Sequence, residues 1–471
     1  MSFSEITDPS HAIAAFVATL KDSDIPDDVR VRGMHHLLDS AGIAMASATF
    51  DFSKRTFKAI HGLGGDGAVP VIGMAASLSP RDAAMMNGFL IHGLDFDDTH
   101  IAGVVHPSSS AFAAALSAGL HAYATGREML TAFIAGVEVT ARLGAVAKGG
   151  FHQVGFHPTG IVGVFGAAMT AGRLMGLTED QLQNALGIAL SLASGSLEFL
   201  EDGAWNKRFH PGWAAQAGMT AAAMAKEGFN GISRPFAGRF GLYNAYLGPL
   251  AEKADIALAT DGLGTTWELL KTAIKPYPAC HFTHASVDAA LALREQGATL
   301  DTIDSIVALV PAEVVKTVCE PVANKQRPAN SYDAQFSVPY LVATAFRNGR
   351  MTLAELEDSA LSDPQTLHLA ARVTYRTDPD SPFPKAYSGE LIVTLKDGTE
   401  LRHREQINRG ADERPLTNAE IVEKYDANAA VAGPTDQADA VRDMLLSLDT
   451  TEPLKTLLHA FAPHAAERAH A

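Results

Sequence analysis

A chain of 471 residues is long enough for two or three domains, and its 47% of apolar residues can build a large core. The formal net charge of −16 and the lack of a long basic run argue against nucleic acid and anionic membrane surfaces as partners. The two cysteines, Cys280 and Cys319, fit a reducing compartment and are too few for a disulfide framework or a cysteine-ligated iron–sulfur cluster.

The start of the sequence has neither the basic stretch nor the apolar core of a secretory signal. The apolar run 160–177 is interrupted by glycines and by Arg173 before it reaches the length of a membrane span. We therefore expect a soluble, cytoplasmic protein that does not enter a membrane.

Helical spacing of apolar residues dominates the first 270 residues, and no segment there is a convincing strand. We therefore expect a helical domain. Three polar residues of its first long helix, His35, His36 and Asp39, are expected to pack or to face solvent rather than bind a ligand. The clearest predicted helices cover 29–48, 81–92, two segments of 111–147 that meet at Gly126, and a segment opened by a capping box of Thr178 with Gln181.

The pattern changes near Lys275, where two prolines fix an extended stretch before a helix that begins near Thr283. Alternating apolar residues then predict strands over 303–310, 372–375 and 390–404, and the last contains the hairpin signal Lys396-Asp-Gly-Thr. Because helices are interleaved with these strands, we expect a smaller α+β domain.

The predicted architecture is mainly α. A large helical domain is built from both ends of the chain, residues 1–270 and 411–471, and a smaller α+β domain, residues 271–410, is inserted into it. Helices are expected to resume at Thr417 and over 435–449, and the tail after Pro463 is expected to fray.

Residues 92–110 hold the densest group of ionisable side chains in the sequence, between two small-residue runs that predict packed helices. Carboxylates and imidazoles in such a place cost desolvation free energy unless they are paired, bind a metal or take part in chemistry. A functional site is therefore favoured over a solvated acidic turn. The ionisable residues are Asp95, Asp97, Asp98, His100 and His106.

The sequence also contains three His-Pro dipeptides, each followed by small or capping residues and an Ala/Gly-rich run. This pattern is typical of helix starts, where backbone N–H groups attract anions. If the three helix ends converge, they form a carboxylate site with imidazoles in place; if they do not, the dipeptides are ordinary helix starts. They are His106-Pro107, His157-Pro158 and His210-Pro211.

One hypothesis is metal-free acid–base chemistry on a small polycarboxylate. Such a reaction needs a base, an acid, and cations that hold the carboxylates and the developing negative charge. The sequence offers Asp95, His106 and His157 for proton transfer and Thr99 for hydrogen bonding. Lys207 and the helix N-termini supply positive charge.

Two other hypotheses remain open at this point. Asp95, Asp97, Asp98 and His100 can bind Mg²⁺, Mn²⁺ or Fe²⁺, although no HExxH or second acidic motif supports a metal site. Alternatively, the chain is a non-enzymatic helical binding protein whose polar groups only satisfy one another. The number of ionisable groups predicted to be buried argues against that interpretation.

Several segments together resemble the MmgE/PrpD family, which includes 2-methylcitrate dehydratase, cis-aconitate decarboxylase and iminodisuccinate epimerase. The likeness covers nearly the whole chain. It implies a large helical domain, a smaller lid domain, a homodimer, and no cofactor or metal. The segments are 87–92, Asp95-Phe-Asp-Asp-Thr99, His106-Pro, His157-Pro, Lys207-Arg-Phe-His-Pro-Gly212, Gly228-Phe, Lys275-Pro-Tyr-Pro-Ala-Cys280 and Tyr332-Asp-Ala-Gln-Phe-Ser337, and the likeness includes Asp39 in the first helix.

Active-site positions of the decarboxylase motif match residues of this chain one by one. They fall on Asp95, Thr99, His106, His157 and Lys207. The chain departs from the motif at the lid, where the decarboxylase has a His and this chain has Cys280 followed by His281. The insertion that carries His106 is also one residue longer than that of the decarboxylase, and the family's active-site Tyr has only Tyr332 as a nearby candidate.

Residues and resemblance together predict a cofactor- and metal-independent lyase that acts on a small di- or tricarboxylate, most like a 2-methylcitrate dehydratase. A decarboxylase or an epimerase on the same scaffold is the alternative. The expected catalytic residues are Asp95, His106, His157 and Lys207. Expected to contact substrate or support the pocket are Thr99, Lys275, Cys280 and His281, with packing the alternative role for Cys280.

Overall fold

A computed structural model shows the fold and describes residues 7–433, 435–457 and 461. By their internal contacts the residues form two compact units. The first unit comprises the described residues of Met1–Phe199, Trp205–Thr272 and Thr417–Ala471, and the second comprises Leu200–Ala204 and Ala273–Leu416. The domain boundaries at 270 and 410 and the lid role of the inserted domain stay predictions, and the tail after Pro463 lies outside the described residues.

The first unit is almost entirely helical, and the mainly α fold is confirmed. Its helices are α1 (Ser10–Thr19), α2 (Asp27–Ala48), α3 (Asp51–Gly64), α4 (Pro80–Ile91), α5 (Pro107–His121), α6 (Gly126–Val146), α7 (Gly150–Gln153), α8 (Pro158–Leu174), α9 (Glu179–Ala189), α10 (Asn206–Lys226) and α11 (Leu242–Leu247), followed after the second unit by α19 (Asn418–Ala432), α20 (Thr435–Leu446) and α21 (Leu454–Leu457). Turns of 3₁₀ helix lie at Asp22–Asp24, Leu190–Leu192, Glu198–Leu200, Gly248–Lys253, Ile256–Ala259 and Glu268–Lys271.

The expectation that the first 270 residues contain no strand is wrong in two short places. Strands β1 (Asp66–Pro70) and β2 (Ser77–Leu78) form an antiparallel pair, and β3 (Thr99–His100) lies in the loop after α4. β1 and β2 are joined by a tight turn in which the Val71 N–H donates to the Ala76 carbonyl. β2 and β3 have two residues each, and β1 (Asp-Gly-Ala-Val-Pro) has one fully buried residue, Val69, so none of them shows an alternating apolar pattern.

The predicted helices agree with the observed ones. Segment 29–48 lies in α2, and 81–92 corresponds to α4. The hydroxyl of Thr178 accepts from the Gln181 N–H, which is the predicted capping box at the start of α9.

Glycines allow α10 to approach its neighbours α4 and α8 very closely. A Cβ added to Gly212 would lie 2.2 Å from the Met85 carbonyl oxygen of α4. A Cβ added to Gly218 would lie 2.6 Å from the Ala167 Cβ of α8. The Ala/Gly-rich sequence of α10 therefore reflects backbone contact between helices.

The start of α10 differs from the prediction, which placed the helix after the third His-Pro dipeptide. The helix begins at Asn206 and contains Pro211 in its interior. An interior proline removes one helical hydrogen bond and costs on the order of 3 kcal/mol. Here the preceding turn is held by buried contacts of Lys207 and Arg208 with the loop after α4, which offset that cost.

The second unit contains a four-stranded sheet in the order β6-β5-β7-β8. β5 pairs parallel with β6 and antiparallel with β7, and β7 and β8 form the predicted hairpin. The elements are α12 (His284–Glu295), β5 (Ile303–Val310), α13 (Val315–Val318), α14 (Val322–Gln326), α15 (Ser331–Gln335), α16 (Val338–Asn348), α17 (Asp358–Leu361), α18 (Pro364–Ala370), β6 (Val373–Thr377), β7 (Gly389–Leu395) and β8 (Glu400–Glu405), with 3₁₀ turns at His281–Thr283, Ala312–Val314 and Leu353–Leu356 and a two-residue strand β4 (Thr272–Ala273) where the units meet in sequence.

One helix among the described residues, α6, is long and apolar enough to cross a membrane by length and composition alone. Its most apolar window is 94% buried inside the structure. A helix in the core of a helical unit is also long, apolar and buried, so α6 fits that position too.

We predict that Gly212→Ala lowers the free energy of unfolding by about 1–3 kcal/mol, because the new methyl group must push α10 away from α4. The matched control is Gly62→Ala in α3, where a Cβ would meet no atom within 4 Å. That change should be neutral or stabilising by up to about 1 kcal/mol. Chemical denaturation measures both values, and equal stability of Gly212→Ala and wild type would contradict this helix contact.

Candidate active site

The acidic loop, residues 92–106, connects α4 to α5 and carries most of the candidate site. It opens with a turn in which the Asp95 N–H donates to the His92 carbonyl over 3.1 Å. Asp95 has a φ of 51°, a left-handed conformation that Asp tolerates better than most residues. Nearly all of the loop is buried, so its carboxylates and imidazoles need partners within the protein.

His92 and Asp97 form a buried imidazole–carboxylate pair. The Nδ1 atom of His92 lies 2.8 and 2.9 Å from the two carboxylate oxygens of Asp97, and both side chains are fully buried. A carboxylate can only accept, so His92 donates from Nδ1. The pair fixes the imidazole of His92, whose centre lies 4.7 Å from that of His106 and 5.5 Å from that of His157.

Asp98 fastens the acidic loop to α2 and to α5. Its Oδ2 accepts from His36 Nδ1 over 2.7 Å and from the Ser108 hydroxyl, and its Oδ1 accepts from the Ser108 N–H over 3.3 Å. Ser108 lies in the first turn of α5, where backbone N–H groups favour an anion. The start of α5 was expected to bind a carboxylate of the substrate. The carboxylate of Asp98 occupies this position instead.

The tautomer of His106 is set by the backbone. Its Nδ1 lies 2.7 Å from the Asp98 carbonyl oxygen and 3.3 Å from the Thr99 hydroxyl. Because a carbonyl can only accept, Nδ1 carries a hydrogen, and in the neutral ring the lone pair is therefore on Nε2. Nε2 lies 4.0 Å from Asp95 Oδ1, so a carboxylate stands beside the atom that would take up a proton. This is the arrangement of a general base.

Lys207 brings a positive charge to the same place. Its Nζ donates to Asp95 Oδ1 over 2.8 Å, and the two side chains are only 8% and 2% exposed. The next residue, Arg208, donates from Nε to the Gly93 carbonyl over 2.6 Å. A buried ammonium next to a general base can hold a substrate carboxylate and the negative charge that develops during proton removal.

His157 and His210 share one hydrogen between their Nδ1 atoms, which are 3.1 Å apart. Burial, with the nearby imidazoles and Lys207, lowers the pKa of His157 well below its usual value. Burial also lowers the pKa of His210 to about 4. Both rings are therefore neutral at pH 7, and His157 Nε2 has no hydrogen-bond partner among the residues that the structure describes.

The prediction about the His-Pro dipeptides is confirmed for two of the three. His106 and His157 are the N-cap residues of α5 and α8. For His210 it is wrong, because Pro211 lies inside α10 and the contacts of the preceding turn extend the helix. The imidazoles nevertheless converge, with ring centres 6.0 Å apart for His106 and His157 and 5.2 Å apart for His157 and His210.

The metal ligands proposed from the sequence do not form one set. Asp98 binds His36 and Ser108, while His100 Nε2 bonds Glu268 Oε2 over 2.9 Å. Two other groups have one ligand atom from each residue within 4.8 Å of the others. They are His92, Asp95, Asp97 and His106, and His92, His106 and His157. In the first group the Lys207 ammonium already contacts Asp95. The metal independence of the site stays a prediction.

Three of the predicted site residues lie in the second unit. Lys275 is fully buried, and Cys280 is buried with its backbone N–H donating to the Gln335 carbonyl over 2.9 Å. His281 Nε2 accepts from Asn408 Nδ2 over 2.6 Å. Their part in the pocket stays a prediction, whereas Asp95, Thr99, His106, His157 and Lys207 come together in the first unit.

Sequence reasoning missed three residues that shape the site. His92 was visible at the start of the acidic motif, five residues before its partner Asp97, but carried no assigned role. His36 was expected to pack or to face solvent, and Ser108 was considered only as a helix-capping residue. His36 and Ser108 contact Asp98, which lies 62 and 10 residues away from them in the sequence. Spacing in the sequence does not show these contacts.

Two family models match the chain in order. The model of the MmgE/PrpD N-terminal domain matches residues 11–253, and the model of the MmgE/PrpD C-terminal domain matches residues 277–450. The chain belongs to the MmgE/PrpD family. The resemblance inferred from the motifs is thereby confirmed.

Curated members of the family align with nearly the full chain at low identity. A cis-aconitate decarboxylase of Aspergillus terreus is 27% identical and covers 95% of this chain and 94% of its own length. The cis-aconitate decarboxylase of Homo sapiens is 29% identical, with 82% and 81% covered. The 2-methylcitrate dehydratase of Escherichia coli is 25% identical, with 87% and 88% covered. The expectation of an enzyme of the lyase class is confirmed at the level of the family.

We predict that His210 makes the protein sensitive to mild acid. A histidine with a lowered pKa in the folded state takes up its proton in the unfolded state first, between pH 6.5 and about 4. Its contribution to stability is therefore present above pH 6.5 and is lost as the pH falls through that window, by up to about 1.4 kcal/mol per pH unit. In His210→Gln the free energy of unfolding should fall less steeply with decreasing pH.

Chemical denaturation of wild type and variant at several pH values from 7 to 4.5 measures this slope. The control is His121→Gln, which changes an exposed histidine at the end of α5 and should leave the slope unchanged. Parallel curves for wild type and His210→Gln would contradict the burial of a neutral imidazole at this position.

Proposed function

We propose that the protein is a lyase that removes water from a small hydroxy di- or tricarboxylate of the 2-methylcitrate type, by acid–base chemistry that needs no metal or cofactor. The observation that carries this proposal is the fixed tautomer of His106, whose Nε2 lone pair lies in a buried cluster with the Asp95–Lys207 ion pair. The names of the relatives support the substrate class.

The first step assigned to this cluster is proton removal from a carbon next to a carboxylate. His106 takes the proton on Nε2 and becomes an imidazolium, which the neighbouring carboxylate of Asp95 stabilises. The ammonium of Lys207 holds the substrate carboxylate into which the negative charge spreads. The bond from carbon to the leaving hydroxyl then breaks as a double bond forms.

The second step is departure of the hydroxyl with a proton. We assign His157 to the hydrogen bond that holds this hydroxyl, because its Nε2 is buried without a partner among the described residues. The proton that completes the water molecule returns from the imidazolium of His106, so base and acid are regenerated in one turnover. Thr99 keeps the ring of His106 in place through its contact with Nδ1.

Decarboxylation of cis-aconitate is a second candidate on the same residues. The Aspergillus terreus decarboxylase aligns with 95% of the chain, compared with 87% for the Escherichia coli dehydratase. Both reactions pass through a carbanion next to a carboxylate. Dehydration forms it by proton removal and then expels hydroxide, whereas decarboxylation forms it by loss of carbon dioxide and then adds a proton. We also propose that the protein is cytoplasmic and forms a homodimer.

The experiment is proton NMR in D₂O on enzyme treated with EDTA, with citrate, 2-methylcitrate, cis-aconitate, malate and iminodisuccinate supplied separately. Deuterium incorporation or loss of water from a hydroxy acid supports the proposal. Release of carbon dioxide from cis-aconitate selects the second candidate. Activity that returns only with added divalent metal would contradict metal-free chemistry, and silence with and without metal would contradict the substrate class.

We predict that His106→Gln lowers turnover by a factor of about 10² or more, because the glutamine amide cannot accept the substrate proton. The variant should remain folded, with a loss of about 1 kcal/mol for the hydrogen bond to the Asp98 carbonyl. Steady-state kinetics and thermal unfolding measure the two effects. His121→Gln is again the control, and wild-type turnover by His106→Gln would remove His106 from the mechanism.

A further inference from the structure

The backbone of the acidic loop is held from behind by a residue far along the chain. Lys424 of α19 donates from Nζ to the Phe96 carbonyl over 2.9 Å, and the same ammonium lies 3.8 Å from the centre of the Phe96 ring. The side chain of Lys424 is only 7% exposed. Phe96 stands between Asp95 and Asp97, so one cation contacts the residue that links the two carboxylates of the site.

The charge of Lys424 is matched by a buried carboxylate of α2. Its Nζ lies 2.7 Å from Asp39 Oδ1, and the side chain of Asp39 is 1% exposed. Burial raises the pKa of Asp39 to about 6, although Lys424 opposes the rise. The ammonium of Lys424 therefore favours the ionised carboxylate of Asp39 against the cost of its burial.

Helix α2 holds the loop at a second point. His36 lies one helical turn before Asp39 on the same face of α2 and donates to Asp98. The loop is thus attached through Phe96 to Lys424 and through Asp98 to His36. Asp95, in its left-handed conformation, lies next to the first of these attachments.

Helices α19 and α2 are in direct backbone contact at Tyr425, the residue next to Lys424. A Cβ added to Gly42 would lie 2.8 Å from Tyr425 Cδ2 and 3.1 Å from Tyr425 Cα. The hydroxyl of Tyr425 in turn donates to the Ala438 carbonyl of α20. α19 therefore cannot shift towards α2, and the ammonium of Lys424 is held beneath the acidic loop.

We propose that Lys424 is a positioning residue of the reaction, which holds the Phe96 backbone so that Asp95 meets Lys207 and His106 while Asp97 meets His92. The inference rests on the proposed function for its kinetic part only. It connects the C-terminal family segment, residues 277–450, with the cluster of Asp95, His106 and Lys207, which lies in the N-terminal segment.

The test compares Lys424→Met with Lys424→Arg. Methionine keeps the apolar stem and loses the charge and the donor, whereas arginine keeps both. Because misplacement of a reacting group by about 1 Å can cost a factor of roughly 10², we expect Lys424→Met to lower kcat on the order of 10- to 100-fold with little change in KM. Lys424→Arg should recover a large part of kcat.

A second readout does not depend on activity. Hydrogen–deuterium exchange of peptides that cover residues 94–100 should become several-fold faster in Lys424→Met and stay near wild type in Lys424→Arg. The control is Lys226→Met, which removes an exposed lysine that donates to the Met175 carbonyl. It should change neither kcat nor exchange of the loop.

The double variant Asp39→Asn with Lys424→Met separates positioning from general stability. With both charges removed, thermal stability should recover towards wild type while kcat stays low and loop exchange stays fast. Recovery of kcat or of slow exchange in the double variant would overturn the proposal, as would unchanged exchange in Lys424→Met. If the wild-type enzyme acts on none of the five acids in the NMR experiment, the proposed function is wrong. The hydrogen–deuterium exchange of residues 94–100 then tests the positioning role of Lys424 alone.

Discussion

Desolvation of ionised groups is the constraint on which the rest of this structure depends. The acidic loop places three carboxylates among helices that exclude them from solvent. A charge in such a place is tolerated only with an opposite charge or several hydrogen-bond donors around it. Each carboxylate here has its own partner, which is Lys207 for Asp95, His92 for Asp97, and His36 with Ser108 for Asp98.

Because their partners differ, the three carboxylates have different roles. Asp98 serves structure, since its donors come from α2 and from the first turn of α5. Asp97 orients an imidazole, and Asp95 places a carboxylate between an ammonium and the basic nitrogen of His106. Preorganised charge of this kind favours a transition state in which negative charge appears on a bound carboxylate.

The sequence predicts most of the fold because its signals are local. The helical spacing of α2 and α4, the capping box at Thr178 and the hairpin at 396–399 depend on residues within one or two turns of each other. The start of α10 does not follow from local signals. Pro211 argues for a helix end, and only the contacts of Lys207 and Arg208 with a loop over 110 residues earlier in sequence reverse that preference.

The candidate site shows the same division. The density of Asp and His in residues 92–110 marks the site, the His-Pro pattern adds His157, and the need for a cation adds Lys207. The resemblance to the family matches the same residues. The partners His36 and Lys424 lie 62 and 328 residues from the loop residues that they contact, Asp98 and Phe96. Nothing in their own neighbourhoods distinguishes them from packing residues, so only the folded structure shows their role.

The central claim is that the acidic loop holds His106 with a hydrogen on Nδ1, so that Nε2 is the basic nitrogen of the neutral ring. Two-bond ¹H–¹⁵N correlation spectra of protein labelled with ¹⁵N-histidine report this directly, with the His106 signals assigned from their loss in His106→Gln. For the neutral ring of His106 we predict a protonated Nδ1 and an unprotonated Nε2. A hydrogen on Nε2 with an unprotonated Nδ1 would contradict the geometry from which the proposed reaction is derived.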